Sequence, residues 1–95
     1  MELSKRLHAV ASLVTEGASV ADIGTDHGYI PIYLTLTGKS PKVIAMDIKE
    51  GPLQRAKDHI AAYDLQDKIE TRLSNGVERL APNEFECVVI AGMGG

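Results

Sequence analysis

Four short segments with the character of β-strands, separated by segments of helical periodicity, constrain the fold of this chain more than any other feature. Each segment ends in a turn that is rich in Gly, Asp or Asn, which is typical of strands. Strands that alternate with helices predict βαβ units and a parallel sheet. Right-handed crossovers would give that sheet the spatial order 3-2-1-4. The predicted strands are Val20–Ile23, Val43–Met46, Ile69–Leu73 and Cys87–Ala91.

Helices are predicted before and between these strands. The first predicted helix is amphipathic and lies at the start of the chain. Ser4 is its candidate N-cap, and Gly17 is the residue at which we expect it to end. A second helix covers Tyr29–Leu36, a third opens at Gly51, and a short one covers Val77–Leu80. The apolar positions that recur at helical spacing are Leu3, Leu7, Val10 and Val14 in the first helix and Leu53, Ala56 and Ile60 in the third.

The predicted fold class is therefore α/β, a Rossmann-like parallel sheet behind a leading N-terminal helix. Ninety-five residues make one small domain at most. Sheets of this order usually continue past the fourth strand, whereas this sequence stops where a helix would begin. We therefore expect residues 1–95 to be the N-terminal part of a single domain, truncated after the fourth strand. Its exposed fourth strand and uncovered apolar faces favour self-association.

Charge and composition exclude several classes of function. Ten Lys and Arg against thirteen Asp and Glu give a net charge of −3, so any nucleic-acid contact needs a basic surface elsewhere. The single cysteine, Cys87, excludes an internal disulfide and fits a reducing compartment, which predicts a cytoplasmic protein. Within its apolar run we interpret Cys87 as a packed small hydrophobe. No signal peptide, membrane span, Cys/His metal spacing or P-loop motif is found.

The turn after the first strand carries the most specific motif, Asp22-Ile23-Gly24-Thr25-Asp26-His27-Gly28. Gly24 and Gly28 permit close approach of a ligand to the backbone. In a dinucleotide site the place of Asp26 would hold a second glycine, beside a pyrophosphate. Carboxylates at Asp22 and Asp26 would repel that pyrophosphate and suit a cationic ligand such as S-adenosylmethionine. Turn and helix capping are the structural alternatives for these two acids.

The ends of the second and third strands add candidates at the same carboxyl edge of the sheet. Asp47 follows the glycines at the distance of an acid that accepts hydrogen bonds from ribose hydroxyls. Ile48 could pack on an adenine ring. Asn75, beside Gly76, offers a donor and an acceptor to an adenine edge, although it could equally be a plain turn residue.

Three further candidate residues have open alternatives. Gly92 and Met93 follow the fourth strand, where glycine permits close approach of a flat substrate and methionine could cover the cofactor. Both could instead belong to a flexible terminus. His27 could contact cofactor or substrate, or could serve the turn structurally. His8 and His59 lie on predicted helices and receive no role.

Taken together, these motifs resemble the bacterial tRNA (adenine-22-N1)-methyltransferase family, often called TrmK. The resemblance runs along nearly the whole chain, and its Asp-His-Gly turn and terminal Ala-Gly-Met-Gly-Gly are specific. The residues that carry it are 3–7, 20–29, 45–48, 51–53, 72–76 and 90–95.

The resemblance implies a class I methyltransferase fold, S-adenosylmethionine as methyl donor and a tRNA adenine as acceptor. It also implies that the family's later strands and helical C-terminal domain are absent from these 95 residues, which puts activity and tRNA binding by this chain alone in doubt. Two rivals remain: an NAD-binding half-domain of an oxidoreductase, which the turn acids oppose, and a non-catalytic interaction module with the same fold. No residue is a convincing general base.

Overall fold

The computed structural model describes residues 3–75, 78, 80, 81 and 83–90. Within them the helices and strands follow one another in the order that the sequence predicts. The elements are α1 (Lys5–Ser12), β1 (Val20–Ile23), α2 (Tyr29–Leu36), β2 (Val43–Asp47), α3 (Glu50–Ala62), β3 (Ile69–Leu73) and β4 (Cys87–Val89).

All four strands are parallel and lie in the order β3-β2-β1-β4, which confirms the predicted topology. Val20 is in register with Val43 on one side and Cys87 on the other, and Val43 is in register with Ile69. Because every strand runs in the same direction, the turns that leave β1, β2 and β3 all lie at one edge of the sheet. In open α/β sheets this carboxyl edge is where ligands bind.

Alternate residues of the two central strands face opposite sides of the sheet. Val20 and Val43 pack with Ala11 of α1 and Leu34 of α2, and Ala45 packs with Ile60 of α3. On the opposite side, Ala21, Ile23, Ile44 and Met46 form a third cluster, against which Leu80 and Phe85 pack. A strand that is buried on both faces has a nearly continuous apolar sequence, which is why β1 and β2 can be predicted from the sequence.

The first helix begins as predicted but ends earlier. The Ser4 hydroxyl accepts a hydrogen bond from the Leu7 N–H at 3.2 Å, so Ser4 is the N-cap. The helix ends at Ser12 and does not reach Gly17. Bonds from the N–H groups of Leu13 and Val14 to carbonyls three residues earlier tighten its last turn. Val14 is still buried, although it lies outside the helix.

The fourth strand is shorter than predicted. Pairing with β1 stops at Asp22 and Val89, and Ile90 is 56% exposed. At Ile23, the next residue of β1, pairing continues only with Met46 of β2, and the turn that follows also bonds to Met46 through the Thr25 N–H. Ala91 lies outside the described residues, as do Val77 and Arg79 of the predicted helix 77–80. Cys87 is partly buried against the α1–α2 side of the core, as expected for a packed thiol.

Among the described residues, no helix is both long enough and apolar enough to cross a lipid bilayer.

The contact between the β1–α2 turn and α3 explains why Gly28 is a glycine. Its φ of +74° lies in the left-handed region, and it is the N-cap of α2. A Cβ at this position would lie 3.2 Å from the Cβ of Ala56, which is itself fully buried. Both the backbone conformation and the close packing of α3 therefore require glycine here.

We expect Gly28→Ala to lower the free energy of unfolding by about 2–4 kcal/mol, because left-handed strain and overpacking add. Gly38→Ala is the matched control: its φ is +72°, but no atom lies within 4 Å of the added Cβ. It should cost only about 1 kcal/mol. Urea denaturation measures both, and equal losses would show that Ala56 does not press on this position.

Candidate functional site

Asp22 is the most unusual polar side chain at the carboxyl edge. It is the third residue of β1 and only 2% exposed, and its Oδ1 atom makes no hydrogen bond within the described part of the chain. The hydroxyl of nearby Thr25 is also buried without a partner there. Buried polar atoms are normally satisfied, so an orphaned carboxylate oxygen points to a proton or a ligand that occupies it.

Burial raises the pKa of Asp22 to about 7, and the negative charge of Asp47 raises it further. Thr25 opposes this rise, although its hydroxyl lies outside hydrogen-bond geometry. Near neutral pH the Asp22 carboxyl therefore populates both its protonated and its ionised forms. A cation placed beside it would favour the ionised form.

A pocket of about 190 Å³ opens at Asp22. Its wall comes from α1, from the end of β1, from the turn and from the first residues of α2. The pocket therefore combines two carboxylates with a guanidinium, an imidazole and a phenol. The lining residues are Arg6, Leu7, Asp22, Thr25, Asp26, His27, Tyr29 and Ile30.

Asp47 lies at the end of the neighbouring strand and is also buried, at 7% exposure. Its Oδ2 accepts a hydrogen bond from the Asp26 N–H at 3.3 Å, and its Oδ1 accepts one from the Lys49 N–H at 3.1 Å. Asp47 is thus not a loose surface carboxylate. It fixes the β1–α2 turn against the end of β2, and each oxygen retains a second lone pair for a further donor.

Asp26 differs from the other two acids because it carries its own counter-ion. Its backbone has a φ of +54°, and its Oδ1 lies 3.0 Å from an Arg55 nitrogen on α3. Both side chains of this pair are about half exposed. The negative charge at Asp26 is therefore partly balanced within the protein, which the sequence did not indicate.

His27 lies in a ring cluster formed with Tyr29 and His59. The three ring centroids are 5.1–5.5 Å apart, and the planes are nearly parallel. His59 Nδ1 lies 2.8 Å from the His27 carbonyl oxygen, so this nitrogen must carry the proton and donate. His59, which received no role from the sequence, thus holds the backbone of the turn.

The remaining predicted residues divide into two groups. Gly24 has a φ of +71°, the conformation expected of a turn glycine, and Ile48 is 53% exposed just beyond β2. Asn75 is exposed and follows Ser74, whose N–H donates to the Asp47 carbonyl at 2.9 Å, so it lies at the same sheet edge. Gly76, Gly92 and Met93 lie outside the described residues.

Arg6, Thr25 and Tyr29 line the pocket but were not singled out as site residues. Tyr29 and Thr25 adjoin the glycine motif, so their positions could have suggested them. Arg6 lies on a helix that precedes the first strand, and no spacing rule links it to the turn. No cluster of metal ligands occurs in the described part of the chain.

A family model for a methyltransferase domain matches residues 3–95, so the chain belongs to the methyltransferase-domain family. Among curated proteins it is similar to the tRNA (adenine(22)-N(1))-methyltransferase of Bacillus subtilis, with 41% identity over all 95 residues. The resemblance that the sequence motifs carry is thereby confirmed. The chain spans 40% of the length of that relative.

Two solved structures agree with this placement. The B. subtilis M1A22 tRNA methyltransferase TrmK superposes with a TM-score of 0.89 at 38% identity, over 94% of this chain and 38% of that one. M. capricolum TrmK in complex with S-adenosyl-homocysteine superposes with a TM-score of 0.81 at 42% identity, over 88% of this chain and 37% of that one. The Rossmann-like methyltransferase fold is confirmed.

The raised pKa of Asp22 predicts an unusual pH dependence of stability. The unfolded chain releases this proton near pH 4, whereas the folded chain holds it until about pH 7. The folded state therefore binds more protons in this window, and its stability falls as the pH rises through it. The charged or titratable groups around Asp22 are Arg6, Asp26, His27, Tyr29 and Asp47.

We expect Asp22→Asn to remove most of the loss of stability that accompanies the rise in pH, and to stabilise the chain at pH 8 by roughly 1–3 kcal/mol. Urea denaturation between pH 5 and 8 would measure it. Asp58→Asn, at an exposed carboxylate on α3, should retain the wild-type fall. If the free energy of unfolding of Asp22→Asn still decreases between pH 5 and 8, another group of the pocket is responsible.

Proposed function

We propose that this chain binds S-adenosylmethionine at the carboxyl edge of its sheet and serves the methylation of N1 of adenine 22 in a tRNA. The observation that carries the proposal is the buried Asp22 carboxylate, with an oxygen that lacks a partner among the described residues, at the wall of a pocket. A ligand with positive charge satisfies this oxygen, whereas a phosphate would be repelled.

The residues around the pocket fit the parts of this cofactor. Asp22 and Asp26 would orient the methionine part, and Gly24 would let it approach the turn, in which His27 also lines the pocket. Gly28 would act indirectly, by allowing the turn to pack closely on Ala56 of α3. The free lone pairs of Asp47 would accept the ribose hydroxyls. Ile48, Asn75 and Gly76 would contact the adenine, and Gly92 and Met93 would lie between methyl donor and acceptor.

When bound, S-adenosylmethionine supplies a methyl group on a cationic sulfur. Adenine N1 has a free lone pair at neutral pH, so the protein has no proton to remove, and the shortage of general bases is no obstacle. The task of the side chains is alignment, which can lower a barrier substantially. N1 lies on the Watson–Crick edge, so the target base must be unpaired or flipped out.

The tRNA contacts themselves require a basic surface. With a net charge of −3, this chain is poorly suited to hold a tRNA by its phosphates alone, and we place most of that surface outside these 95 residues. A tRNA substrate and the single thiol of Cys87 both favour a cytoplasmic location.

Calorimetric titration with S-adenosyl-homocysteine and with NADH tests the proposal against the dinucleotide alternative. We expect S-adenosyl-homocysteine to bind and NADH not to bind. Asp47→Asn should weaken it about 10- to 100-fold, because a charge-assisted hydrogen bond to the ribose is lost. Asp67→Asn, at an exposed carboxylate, is the control.

Asp47 also bonds two backbone N–H groups, so circular dichroism must confirm that Asp47→Asn is folded before its affinity is interpreted. Binding of NADH alone would replace the proposed activity by that of an oxidoreductase. Binding of neither ligand would favour a non-catalytic module.

We further propose that the chain self-associates through the edge of β4. In the described part of the sheet β4 pairs only with β1, and Val88 and Ile90 are 44% and 56% exposed beside the open edge. An apolar edge strand of this kind pairs readily with another chain.

Light scattering on the purified chain should therefore show a dimer or larger species, and Val88→Lys should shift it toward the monomer. Leu13→Lys is a matched control, since Leu13 is 84% exposed just after α1 and belongs to no strand. A wild-type chain that stays monomeric at high concentration would contradict the proposal.

A further inference from the structure

Three residues on one face of α3 contact three consecutive residues of the β1–α2 turn. Positions that are three and four apart on a helix lie on the same face, which explains how one helix reaches the whole turn. The helix begins at Glu50, shortly after the end of β2, so it also connects the turn to the neighbouring strand. The contacting pairs are Arg55 with Asp26, Ala56 with Gly28, and His59 with His27.

The contact of His59 is the one that fixes the backbone of the turn. Arg55 belongs to a half-exposed ion pair, which contributes little, and Ala56 only limits how closely the helix approaches. His59 is partly buried, and its Nδ1–H donates to the His27 carbonyl oxygen over a distance of 2.8 Å. This bond joins residues that are 32 positions apart in the chain, so it holds the turn by tertiary structure.

The ring of His27 also depends on His59 for its position. Its Nδ1 is buried without a partner in the described part of the chain, and its Nε2 lies 3.7 Å from the Asp26 carboxylate, too far for a hydrogen bond. Its orientation is therefore set by stacking on Tyr29 and His59, at centroid distances of 5.1 and 5.5 Å. His27 and Tyr29 line the pocket at Asp22, whereas His59 does not.

We propose that His59 is a positioning residue of the cofactor site, whose Nδ1–H donor keeps the β1–α2 turn in its binding conformation before the cofactor arrives. This inference rests on the proposed function. Without the donor, the His27 carbonyl is left unpaired and the turn populates other conformations. A ligand then binds only the competent fraction, and its apparent affinity falls in proportion to that fraction.

Two substitutions separate the donor from the ring. His59→Asn keeps an N–H donor close to the position of Nδ1 but removes the ring, whereas His59→Phe keeps a ring and removes the donor. Calorimetry should show that His59→Phe weakens S-adenosyl-homocysteine about 5- to 30-fold and that His59→Asn stays within about threefold of the wild type.

His8→Phe is the matched control for the loss of an imidazole on a helix. His8 contacts Tyr33 and does not line the pocket at Asp22, so its substitution should leave the affinity for S-adenosyl-homocysteine unchanged.

A second ligand distinguishes positioning of the turn from a general loss of structure. 5′-Methylthioadenosine lacks the amino-acid end that Asp22 and Asp26 would orient. His59→Phe should therefore weaken it by no more than about twofold. A role of His59 in stability alone would lower the free energy of unfolding, measured by urea denaturation, without this difference between the two ligands.

The tautomer of His59 in the wild-type chain gives a readout that needs no variant to fold. Nitrogen-15 NMR distinguishes a neutral imidazole protonated at Nδ1 from one protonated at Nε2. We expect His59 to carry its proton at Nδ1 both before and after S-adenosyl-homocysteine is added, because the carbonyl of His27 can only accept.

Three outcomes would overturn the role of His59 while the proposed function stands. They are an unchanged affinity of His59→Phe for S-adenosyl-homocysteine, an equal loss of affinity in His59→Asn and His59→Phe, and a proton at Nε2 of His59 in the wild type. If the wild-type chain binds neither ligand, the proposed function itself is wrong, and the role of His59 in cofactor binding is rejected with it.

Discussion

The hydrogen bond from the Asp26 N–H to the Asp47 carboxylate joins the two halves of the site, and the rest of the carboxyl edge depends on it. Backbone bonds extend the junction on both sides: the Thr25 N–H donates to Met46, and the Ser74 N–H donates to Asp47. The turns after β1 and β3 are thus both fastened to the end of β2. A ligand that spans this edge meets a surface that is already organised.

The same junction explains why Asp22, a buried carboxyl group that lowers the stability of the fold, is retained beside it. Asp22 and Asp47 are both buried and close enough for one charge to raise the pKa of the other. Asp47 is stabilised by two N–H donors, whereas an oxygen of Asp22 has none in the described structure. An apolar residue at position 22 would be the more stable choice in a purely structural strand. The carboxylate is understandable if a cationic ligand supplies the missing partner.

Elements that are marked by a local pattern can be predicted from this sequence. The limits of α2 and β3 were predicted as observed, and β1 likewise, because apolar runs and turn residues mark them. Strand order followed from the handedness of crossovers. Contacts between distant side chains could not be predicted in this way. Arg55 meets Asp26, and His59 meets His27, only because α3 packs on the turn at Gly28. Helical periodicity identifies a buried face, not its neighbours.

Asp26 distinguishes this turn from a dinucleotide-binding turn. It occupies the place of the second glycine of the G-x-G-x-x-G motif, and its φ of +54° lies in the left-handed region that glycine adopts most easily. Aspartate tolerates this conformation better than most residues. A carboxylate therefore stands at the position at which pyrophosphate approaches the backbone of a dinucleotide-binding turn. Because Arg55 balances that charge only at the surface, the buried acids Asp22 and Asp47 still favour a cation over an anion.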